Sequence, residues 1–395
     1  MTALPKLRLK AKQGARARAG APWIYSNEVV MDAAAKALAP GALVEIWGDD
    51  GLLFGTGYFN PHSLIAARVL LPRAVGPVDA AFFNDRIAHA KALRGKLFSA
   101  PYYRLLHAEA DGVPGLVVDR FDDVLVAQSG TAGMDRLEPL WLDALREAFA
   151  PRAIVVKNDA PARAYEGLKP EVRIAHGALD AGVFVEEGGV RFRVDPQGGQ
   201  KTGWFFDQSD NRAFLVALAK GTRVLDAFSY IGAFGLAALK HGATSALLLD
   251  SSEPALARAG EAANENGVAS GLTVRRCDVA EEFERMGAQE QRFEIVSCDP
   301  PPFVRSKKDL ETGAKAYRKL ARLSAPLVTP GGFLFLASCS HAISAERFQE
   351  ECAIGINRAG RVARLIRSTG ASADHPMHPM LPESAYLKGL LYALD

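Results

Sequence analysis

From Val194 onward, the sequence alternates short apolar runs with longer segments of helical spacing. Five runs have the composition of buried strands: Arg223–Ala227, Ala246–Asp250, Thr273–Arg276, Ile295–Asp299 and Gly332–Ser338. Helical periodicity occurs at Phe234–Lys240, Pro254–Asn266, Tyr317–Ala325 and Ala345–Ala359. Strands that alternate with helices pair in parallel, because each crossover returns the chain to the same end of the sheet. This part of the chain is therefore predicted to be an α/β domain with a parallel sheet.

The first of these strands runs into a tight turn and then a helix, over residues 224–235. An open α/β sheet binds nucleotide-like ligands at this position, and Gly232 would let the backbone approach such a ligand closely. The GxGxxG and GxxxxGK[ST] spacings are absent, which disfavours a pyrophosphate. The candidate cofactor-binding residues here are Asp226, Phe228, Ser229, Tyr230 and Gly232.

A carboxylate lies at or just beyond the end of each of the first four strands. Asp226 belongs to the first strand, Asp250 to the second and Asp299 to the fourth, while Asp278 follows the third. An acid after the second strand, here beside Ser251, can accept hydrogen bonds from ribose hydroxyls, and Asp278 could reach an adenine amino group. Each aspartate alone is more often a turn residue or a helix cap. The ordered set suits an adenosine ligand with a positive group, and we expect S-adenosylmethionine.

Cys339 is the candidate nucleophile, because it follows a buried run within Ser338-Cys339-Ser340-His341. Carbon 5 of a pyrimidine is a poor nucleophile, and a thiolate that adds to carbon 6 would enable it to attack a sulfonium methyl. Asp299, stiffened by two following prolines, could grip an amine-bearing base and assist addition. A small core residue is the alternative for Cys339, and His341 could assist it or lie on the surface.

The other three cysteines are predicted to be structural. Cys298 should point to the face of the sheet opposite Asp299, and its role stays open, as does that of His341. Cys277 is placed similarly before Asp278, and Cys352 lies in a helical stretch. The four cysteines contain no CxxC pair, so no metal site is predicted. No long apolar run or apolar leader is visible, and we expect a cytoplasmic protein without a membrane partner.

The first twenty residues are strongly basic, although the formal net charge of the whole chain is only +2. They contain no acidic residue and six cations: Lys6, Arg8, Lys10, Lys12, Arg16 and Arg18. The alternation from Lys6 to Lys10 places leucines on one strand face and cations on the other. This face is interpreted either as a solvated edge strand, protected by its lysines, or as a surface that contacts RNA phosphates.

Residues 1–72 and 73–194 differ in their predicted structure. The first segment consists of short strands and turns, including a hairpin in which Leu43–Trp47 and Leu52–Tyr58 flank Gly48-Asp49-Asp50-Gly51. A small β-barrel is expected there. The second segment mixes helical spacing, as at Phe83–Leu97, with strands such as Leu116–Arg120, so a central α+β domain is expected.

Several segments together resemble the large-subunit ribosomal RNA cytosine-5 methyltransferases that carry a PUA domain, the RlmI type. The similar segments are residues 199–212, Phe228-Ser229-Tyr230 with Gly232, Asp299-Pro300-Pro301 with Phe303, Ser338-Cys339-Ser340, Ala373–Pro376 and Tyr386–Gly389. Gly20–Ser26 is similar to the opening of the family's PUA domain. The resemblance covers nearly the whole chain.

This resemblance implies three domains: residues 1–72 as a PUA-like RNA-binding domain, 73–194 as a central α+β domain, and 195–395 as a Rossmann-like methyltransferase domain. It implies S-adenosylmethionine as the cofactor, 23S ribosomal RNA as the partner, Cys339 as nucleophile and Asp299 as its catalytic partner. A homodimer is compatible with it. Three alternatives stay open: a guanine-N7 ribosomal RNA methyltransferase, a small-molecule methyltransferase, and a non-catalytic RNA-binding protein.

Overall fold

The structure is a computed structural model, and it describes residues 3–395. The first two residues of the predicted N-terminal domain lie outside the described residues. The chain forms two compact units. The first unit runs to Val185 and also includes Val194–Phe206 and Asp374–Pro382, and the second comprises Glu186–Arg193, Asp207–Ala373 and Glu383–Asp395. The domain boundaries at 72 and 194 stay predictions.

A five-stranded sheet begins the first unit. Its strands are β1 (Lys6–Arg8), β2 (Trp23–Ile24), β3 (Ala42–Trp47), β4 (Leu53–Phe59) and β5 (Ala67–Pro72). They lie in the order β1-β3-β4-β5-β2, with β1 parallel to β3 at one edge and the other pairs antiparallel. The predicted alternation is confirmed, because Leu7 and Leu9 are buried while Lys6, Arg8 and Lys10 are exposed.

A second five-stranded sheet forms the other half of this unit. Its strands are β6 (Tyr102–His107), β7 (Leu116–Phe121), β8 (Val124–Ser129), β9 (Ala153–Asn158) and β10 (Glu171–Gly177), in the order β10-β9-β8-β7-β6. The helices of the unit are α1 (Ala15–Arg18), α2 (Ala33–Lys36), α3 (Ala80–Leu97), α4 (Ala132–Arg136) and α5 (Glu138–Phe149). Phe83 and Trp141, from α3 and α5, are fully buried in the core of this α+β region.

A buried carboxylate connects the two sheets of the first unit. Glu166 accepts hydrogen bonds from Asn60 Nδ2 at 2.9 Å, Ser63 Oγ at 2.7 Å and Arg68 Nη1 at 3.1 Å. Burial by itself raises the pKa of this carboxyl, but the Arg68 guanidinium and the two hydrogen bonds hold it below its usual range. A charge that is buried in this way is stabilised only because all of these partners are present.

The second unit contains a seven-stranded sheet in the order β15-β14-β13-β16-β17-β19-β18. Its strands are β13 (Arg223–Ala227), β14 (Ser245–Asp250), β15 (Leu272–Arg276), β16 (Phe293–Cys298), β17 (Val328–Ser338), β18 (Ala363–Thr369) and β19 (Lys388–Leu394), and a hairpin of β11 (Val183–Glu187) and β12 (Val190–Val194) precedes them. All neighbours are parallel except β19, which is antiparallel to β17 and β18. The predicted parallel α/β fold is confirmed.

The helices of the second unit connect these strands. They are α6 (Ser209–Ala217), α7 (Ala233–Lys240), α8 (Glu253–Glu265), α9 (Val279–Ala288), α10 (Leu310–Ser324) and α11 (Ala345–Arg358). Leu225, Val296 and Leu334 from the central strands are buried against Tyr317 and Phe348 from α10 and α11. Throughout residues 3–395, every helix is too short or too polar to cross a lipid bilayer.

A glycine in α4 tests the packing of the first unit. A Cβ atom added to Gly133 would lie 2.1 Å from the ring of the buried Tyr58, whereas one added to the exposed Gly95 in α3 meets nothing within 4 Å. We expect Gly133→Ala to lower the free energy of unfolding by about 1–3 kcal/mol through overpacking. We expect Gly95→Ala to leave it unchanged or raise it by up to about 1 kcal/mol.

All four tryptophans lie in the first unit, so their fluorescence during urea unfolding measures this difference. Equal stability of the two variants would contradict the packing of Tyr58 against Gly133.

Candidate active site

The candidate site lies at the carboxyl edge of the parallel strands. In the pairing of β13, β14 and β16, Asp226 is level with Leu248 and with Ser297. Cys298 is level with Leu336 in the pairing of β16 with β17. Strands that run in the same direction end at the same edge, so the turns after β13, β14, β16 and β17 all lie there.

The turn between β13 and α7 has an unusual backbone. Phe228 and Tyr230 have φ angles of 59° and 51°, in the left-handed region that side chains disfavour, and Gly232 has a φ angle of 80°. A Cβ atom at Gly232 would lie 2.3 Å from a methyl group of Leu248. The backbone N–H of Tyr230 donates to Asp250 Oδ2 at 2.8 Å, which ties the turn to the end of β14. Such strained backbone is common in ligand-binding turns.

Asp226 is buried next to this turn and is hydrogen-bonded to the first residues of α7. Only 2% of its surface is exposed, and its carboxyl accepts hydrogen bonds from the Gly235 N–H at 3.0 Å and from Ser297 Oγ at 2.8 Å. Burial raises the pKa of Asp226 to about 7. The two hydrogen bonds lower this pKa, whereas the negative charges of Asp299 and Asp250 raise it further. Its observed contacts hold the turn in place, while a direct contact with cofactor stays a prediction.

The next two strand ends carry the other predicted cofactor residues. Asp250 accepts from Ser252 N–H at 2.8 Å as well as from the turn, and Ser251 lies beside it at an exposed position. Asp278 caps α9, where its Oδ1 accepts from the backbone N–H groups of Ala280 and Glu281 at 2.8 and 3.1 Å. This is the helix-cap role that an aspartate at such a position often has.

One buried polar atom in the turn fits a bound ligand. Within residues 3–395, Ser229 Oγ is buried and has no hydrogen-bond partner. A buried hydroxyl without a partner is costly, and a polar ligand in the turn would satisfy it. The carboxylates of Asp250, Asp278 and Asp299 around the same edge favour a ligand with positive charge. The residues present therefore fit S-adenosylmethionine.

A hydrogen-bonded frame joins the turns that carry the two predicted catalytic residues. The hydroxyl groups of Ser338 and Tyr317 are 2.7 Å apart, and the Phe303 N–H donates to the same Tyr317 oxygen at 3.4 Å. Ser340 Oγ donates to the carbonyl oxygen of Val304. The segment after Asp299 and the segment around Cys339 are thus connected by two separate contacts. Both Asp299 and Cys339 are partly exposed.

Gly313 in α10 was not among the predicted site residues. A Cβ atom there would lie 2.5 Å from both the Phe303 carbonyl oxygen and a methyl group of Val304. The missing side chain therefore lets the segment after Asp299 pack directly on the helix. The predicted helix begins at Tyr317, whereas α10 begins at Leu310 and includes Gly313 in its first turns.

Arg212 and Tyr386 also had no assigned role in the sequence. Arg212 is 4% exposed and makes a two-point ion pair with Glu187. Burial tends to lower the pKa of the Arg212 guanidinium, but Glu187, Asp207 and Asp299 together raise it. Tyr386 donates to Asp207 Oδ2 at 2.6 Å. Both residues lie in segments that carried the family resemblance, which was the only sequence signal for them.

The other cysteines and His341 differ clearly from Cys339 in their surroundings. Cys298 and Cys352 are buried in the core, as predicted, and burial raises the pKa of both thiols. Cys277 is partly buried, and its pKa is raised to about 11, mainly by burial. His341 is exposed, with its Nδ1 atom 3.3 Å from the Glu383 carbonyl oxygen. Residues 3–395 contain no cluster of three side chains suited to a metal ion.

The six basic residues near the N-terminus fall into two groups. Lys6, Arg8, Lys10 and Lys12 are exposed. Arg18 is paired with Asp50 at 2.8 Å, and Arg16 is 3.2 Å from the Tyr25 hydroxyl. Lys10 Nζ also donates to the Asn27 carbonyl oxygen at 2.8 Å, and Lys6 Nζ lies 5.1 Å from the centre of the Trp47 ring. The first group is thus more exposed than the second, but members of both groups have structural contacts.

Comparisons with known proteins identify the family. Residues 7–71 match the family described as PUA-like domain, and residues 168–393 match the family described as S-adenosylmethionine-dependent methyltransferase. Ribosomal RNA large subunit methyltransferase I of Shewanella denitrificans is 34% identical over 94% of this chain and 94% of that protein. The protein of that name from Aeromonas salmonicida is 35% identical over the same shares. The chain belongs to this methyltransferase family.

Solved structures show the fold that the methyltransferase shares. SMU.776, described as a methyltransferase complexed with SAH, aligns with a TM-score of 0.84 over 99% of this chain and 100% of that chain. A SAM-dependent methyltransferase from Streptococcus mutans aligns with a TM-score of 0.82 over the same shares. Both are 19% identical, so they show similarity of fold.

The raised pKa of Asp226 predicts a pH-dependent stability. Folded Asp226 keeps its proton up to about pH 7, whereas an unfolded aspartate loses it near pH 3.9. Between these values the folded methyltransferase binds more protons, so this group lowers the free energy of unfolding as the pH rises. Asp226→Asn resembles the protonated form and removes this loss. We expect the stability of the variant relative to wild type to increase between pH 4 and pH 8 by on the order of 2–4 kcal/mol.

Calorimetric unfolding across this pH range measures the difference. Asp143→Asn, at a side chain that is 70% exposed, is the matched control and should show no such trend. Parallel pH profiles for Asp226→Asn and wild type would show that Asp226 is already ionised in the folded protein.

A second prediction concerns Gly313. Gly313→Ala should displace the segment after Asp299 and lower the rate of methyl transfer by roughly 10- to 100-fold, because small misplacements of reacting groups are costly. Gly260→Ala in α8, where a Cβ atom meets nothing within 4 Å, is the control. Both changes improve helix propensity, so a difference in rate isolates the contact with the segment. Equal rates would show that this contact does not position the site.

Proposed function

We propose that this protein methylates carbon 5 of a cytosine in 23S ribosomal RNA, with Cys339 as the covalent nucleophile. The observation that carries the proposal is the frame in which Tyr317 and Ser340 join the turns of Asp299 and Cys339. The names of the relatives, ribosomal RNA large subunit methyltransferase I, support this class of RNA as the substrate.

The reaction requires activation of carbon 5, which is a weak nucleophile. The Cys339 thiolate forms a bond to carbon 6, and the electron pair of the 5,6 double bond becomes available at carbon 5. Asp299 can accept a hydrogen bond from the cytosine amine and, when protonated, can donate one to N3, where negative charge develops. S-adenosylmethionine, when bound, supplies the methyl group that carbon 5 acquires. The carbon-5 proton then leaves to solvent, and its electron pair restores the 5,6 double bond. The bond between the Cys339 sulfur and carbon 6 breaks, which restores the thiolate.

The residues of the strand edge would hold the cofactor. The turn from Phe228 to Gly232 offers backbone groups and the Ser229 hydroxyl, while Asp250 and Ser251 lie where ribose hydroxyls can be bound. The remaining proposed contacts are Asp226, Tyr230, Asp278 and Asp299.

The basic face of the N-terminal sheet would contact RNA phosphates. Lys6, Arg8, Lys10 and Lys12 are the exposed members of this face, and Arg16 and Arg18 flank it. In the proposal, residues 1–72 bind RNA, 73–194 form the central domain and 195–395 carry the chemistry. A cytoplasmic location belongs to the same proposal. A homodimer stays a prediction.

Replacement of the nucleophile tests the mechanism. Cys339→Ala should lower turnover by about 10³-fold or more, because covalent activation of carbon 5 is lost, while binding of S-adenosylmethionine is retained. Cys277→Ala is the matched control and should retain turnover. Wild-type protein should also form a denaturation-resistant adduct with ribosomal RNA that contains 5-fluorocytidine, and Cys339→Ala should not.

Nucleoside analysis of the product RNA distinguishes the alternatives. The proposal requires 5-methylcytidine. Formation of 7-methylguanosine, with full turnover by Cys339→Ala, would instead identify a guanine-N7 enzyme. Methyl transfer to small molecules only would support a small-molecule methyltransferase, and failure of wild type to bind S-adenosylmethionine in calorimetric titration would support a non-catalytic RNA-binding protein.

A further inference from the structure

A buried lysine lies next to the turn that carries Cys339. Lys388 begins β19, and its Cα atom pairs with that of Ser338 in the antiparallel register with β17. Only 9% of Lys388 is exposed. Its Nζ atom donates to the carbonyl oxygen of Ser340 and, at 3.1 Å, to that of Tyr386. The lysine therefore contacts the residues on both sides of Cys339, one through the sheet register and one through its side chain.

The charge of this lysine is not balanced by a carboxylate. Across the described part of the chain, residues 3–395, Lys388 makes no ion pair, and both of its hydrogen-bond acceptors are neutral carbonyl groups. A buried ammonium is costly when no opposite charge accompanies it. Arg212, the other buried cation near the site, differs in having the Glu187 carboxylate as a two-point partner.

The titratable groups around Lys388 leave Cys339 as the available anion. His341, on the same turn, can only be neutral or positive. Although the residue is exposed overall, partial burial of its ring lowers its pKa, and Lys388 acts in the same direction, against a hydrogen bond to Glu383 that raises it. Tyr317 from α10 stays neutral, because burial raises its pKa to about 12. Burial lowers the pKa of Lys388, and a negative charge on Cys339 would act in the opposite direction. Asp299, on the neighbouring strand end, lies near Arg212.

We propose that Lys388 is the counter-cation of the Cys339 thiolate. Its ammonium group holds the turn through the Ser340 carbonyl and stabilises the negative sulfur before substrate arrives. The S–H bond of Cys339 breaks, the proton leaves to solvent, and the electron pair stays on the sulfur beside the ammonium. Lys388 is a positioning residue in this account, which rests on the proposed role of Cys339 as nucleophile.

The alkylation rate of Cys339 by iodoacetamide, measured against pH by peptide mass spectrometry, tests the pairing without RNA. Only the thiolate reacts, so the midpoint of the profile reports the pKa of the thiol. Lys388→Met should raise this midpoint by about one unit or more, which lowers the rate at pH 7 roughly tenfold. Lys388→Gln keeps a hydrogen-bond donor without the charge and should show the same shift. Lys388→Arg keeps the charge and should restore most of the wild-type rate.

Cys277 in the same samples is the internal control, and its profile should not change. Retained binding of S-adenosylmethionine shows that each variant is folded, and Lys388→Gln and Lys388→Arg decide the outcome if Lys388→Met does not fold. Identical Cys339 profiles in wild type and Lys388→Gln would overturn the proposal. So would unchanged profiles combined with weakened RNA binding, since the ammonium would then contact a phosphate.

The alkylation result is independent of the proposed reaction. A shifted profile together with full turnover by Cys339→Ala would leave the ion pair in place and remove the covalent mechanism. An unshifted profile together with an inactive Cys339→Ala would remove the ion pair and leave the covalent mechanism in place.

Discussion

Parallel pairing of β16 with β17 is the constraint on which the rest of the site depends. Cys298 is level with Leu336 in this pairing, so the segments after both strands leave the sheet at one edge. A shift of one residue would turn every side chain of β17 to the opposite face and displace Cys339 by about 3.3 Å along the strand. The contacts of Tyr317 and Ser340 then fix the two segments against each other. The segments that carry Asp299 and Cys339 are thus positioned by strand register first and by side-chain hydrogen bonds second.

The electrostatics of the edge follow from a small number of buried charges. Asp226 lies in the interior, and burial raises its pKa to about 7, so below that pH it supports the turn between β13 and α7 without adding a full charge. Arg212 near Asp299 already has a carboxylate partner, whereas Lys388 near Cys339 has only carbonyl groups. In surroundings of low dielectric, this difference matters, because an unbalanced cation favours whichever neighbour can become negative. The candidate site thus contains one buried cation that is paired with a carboxylate, Arg212, and one that is hydrogen-bonded only to neutral carbonyl groups, Lys388.

Local patterns predicted the parallel strands of the second unit well, because apolar runs and the turns after them are properties of neighbouring residues. They did not predict β18 and β19, which pair antiparallel and lie outside the alternation of strands with crossover helices. The start of α10 was wrong, since Gly313 resembles a helix-breaking residue unless its contact with Phe303 is known. Lys388 stood in a segment that carried the family resemblance, but no spacing in the sequence indicates that its ammonium reaches the Ser340 carbonyl.

The contact of Lys388 with Ser340 also has a consequence for the incompletely folded chain. The two residues are 48 positions apart, so this contact exists only once β19 has paired with β17. If Lys388 is the counter-cation of Cys339 as proposed, a chain without this contact lacks the cation beside Cys339, and its sulfur has the low reactivity of an ordinary thiol toward electrophiles and oxidants. Under the same proposal, the sulfur becomes reactive only when β19 completes the sheet.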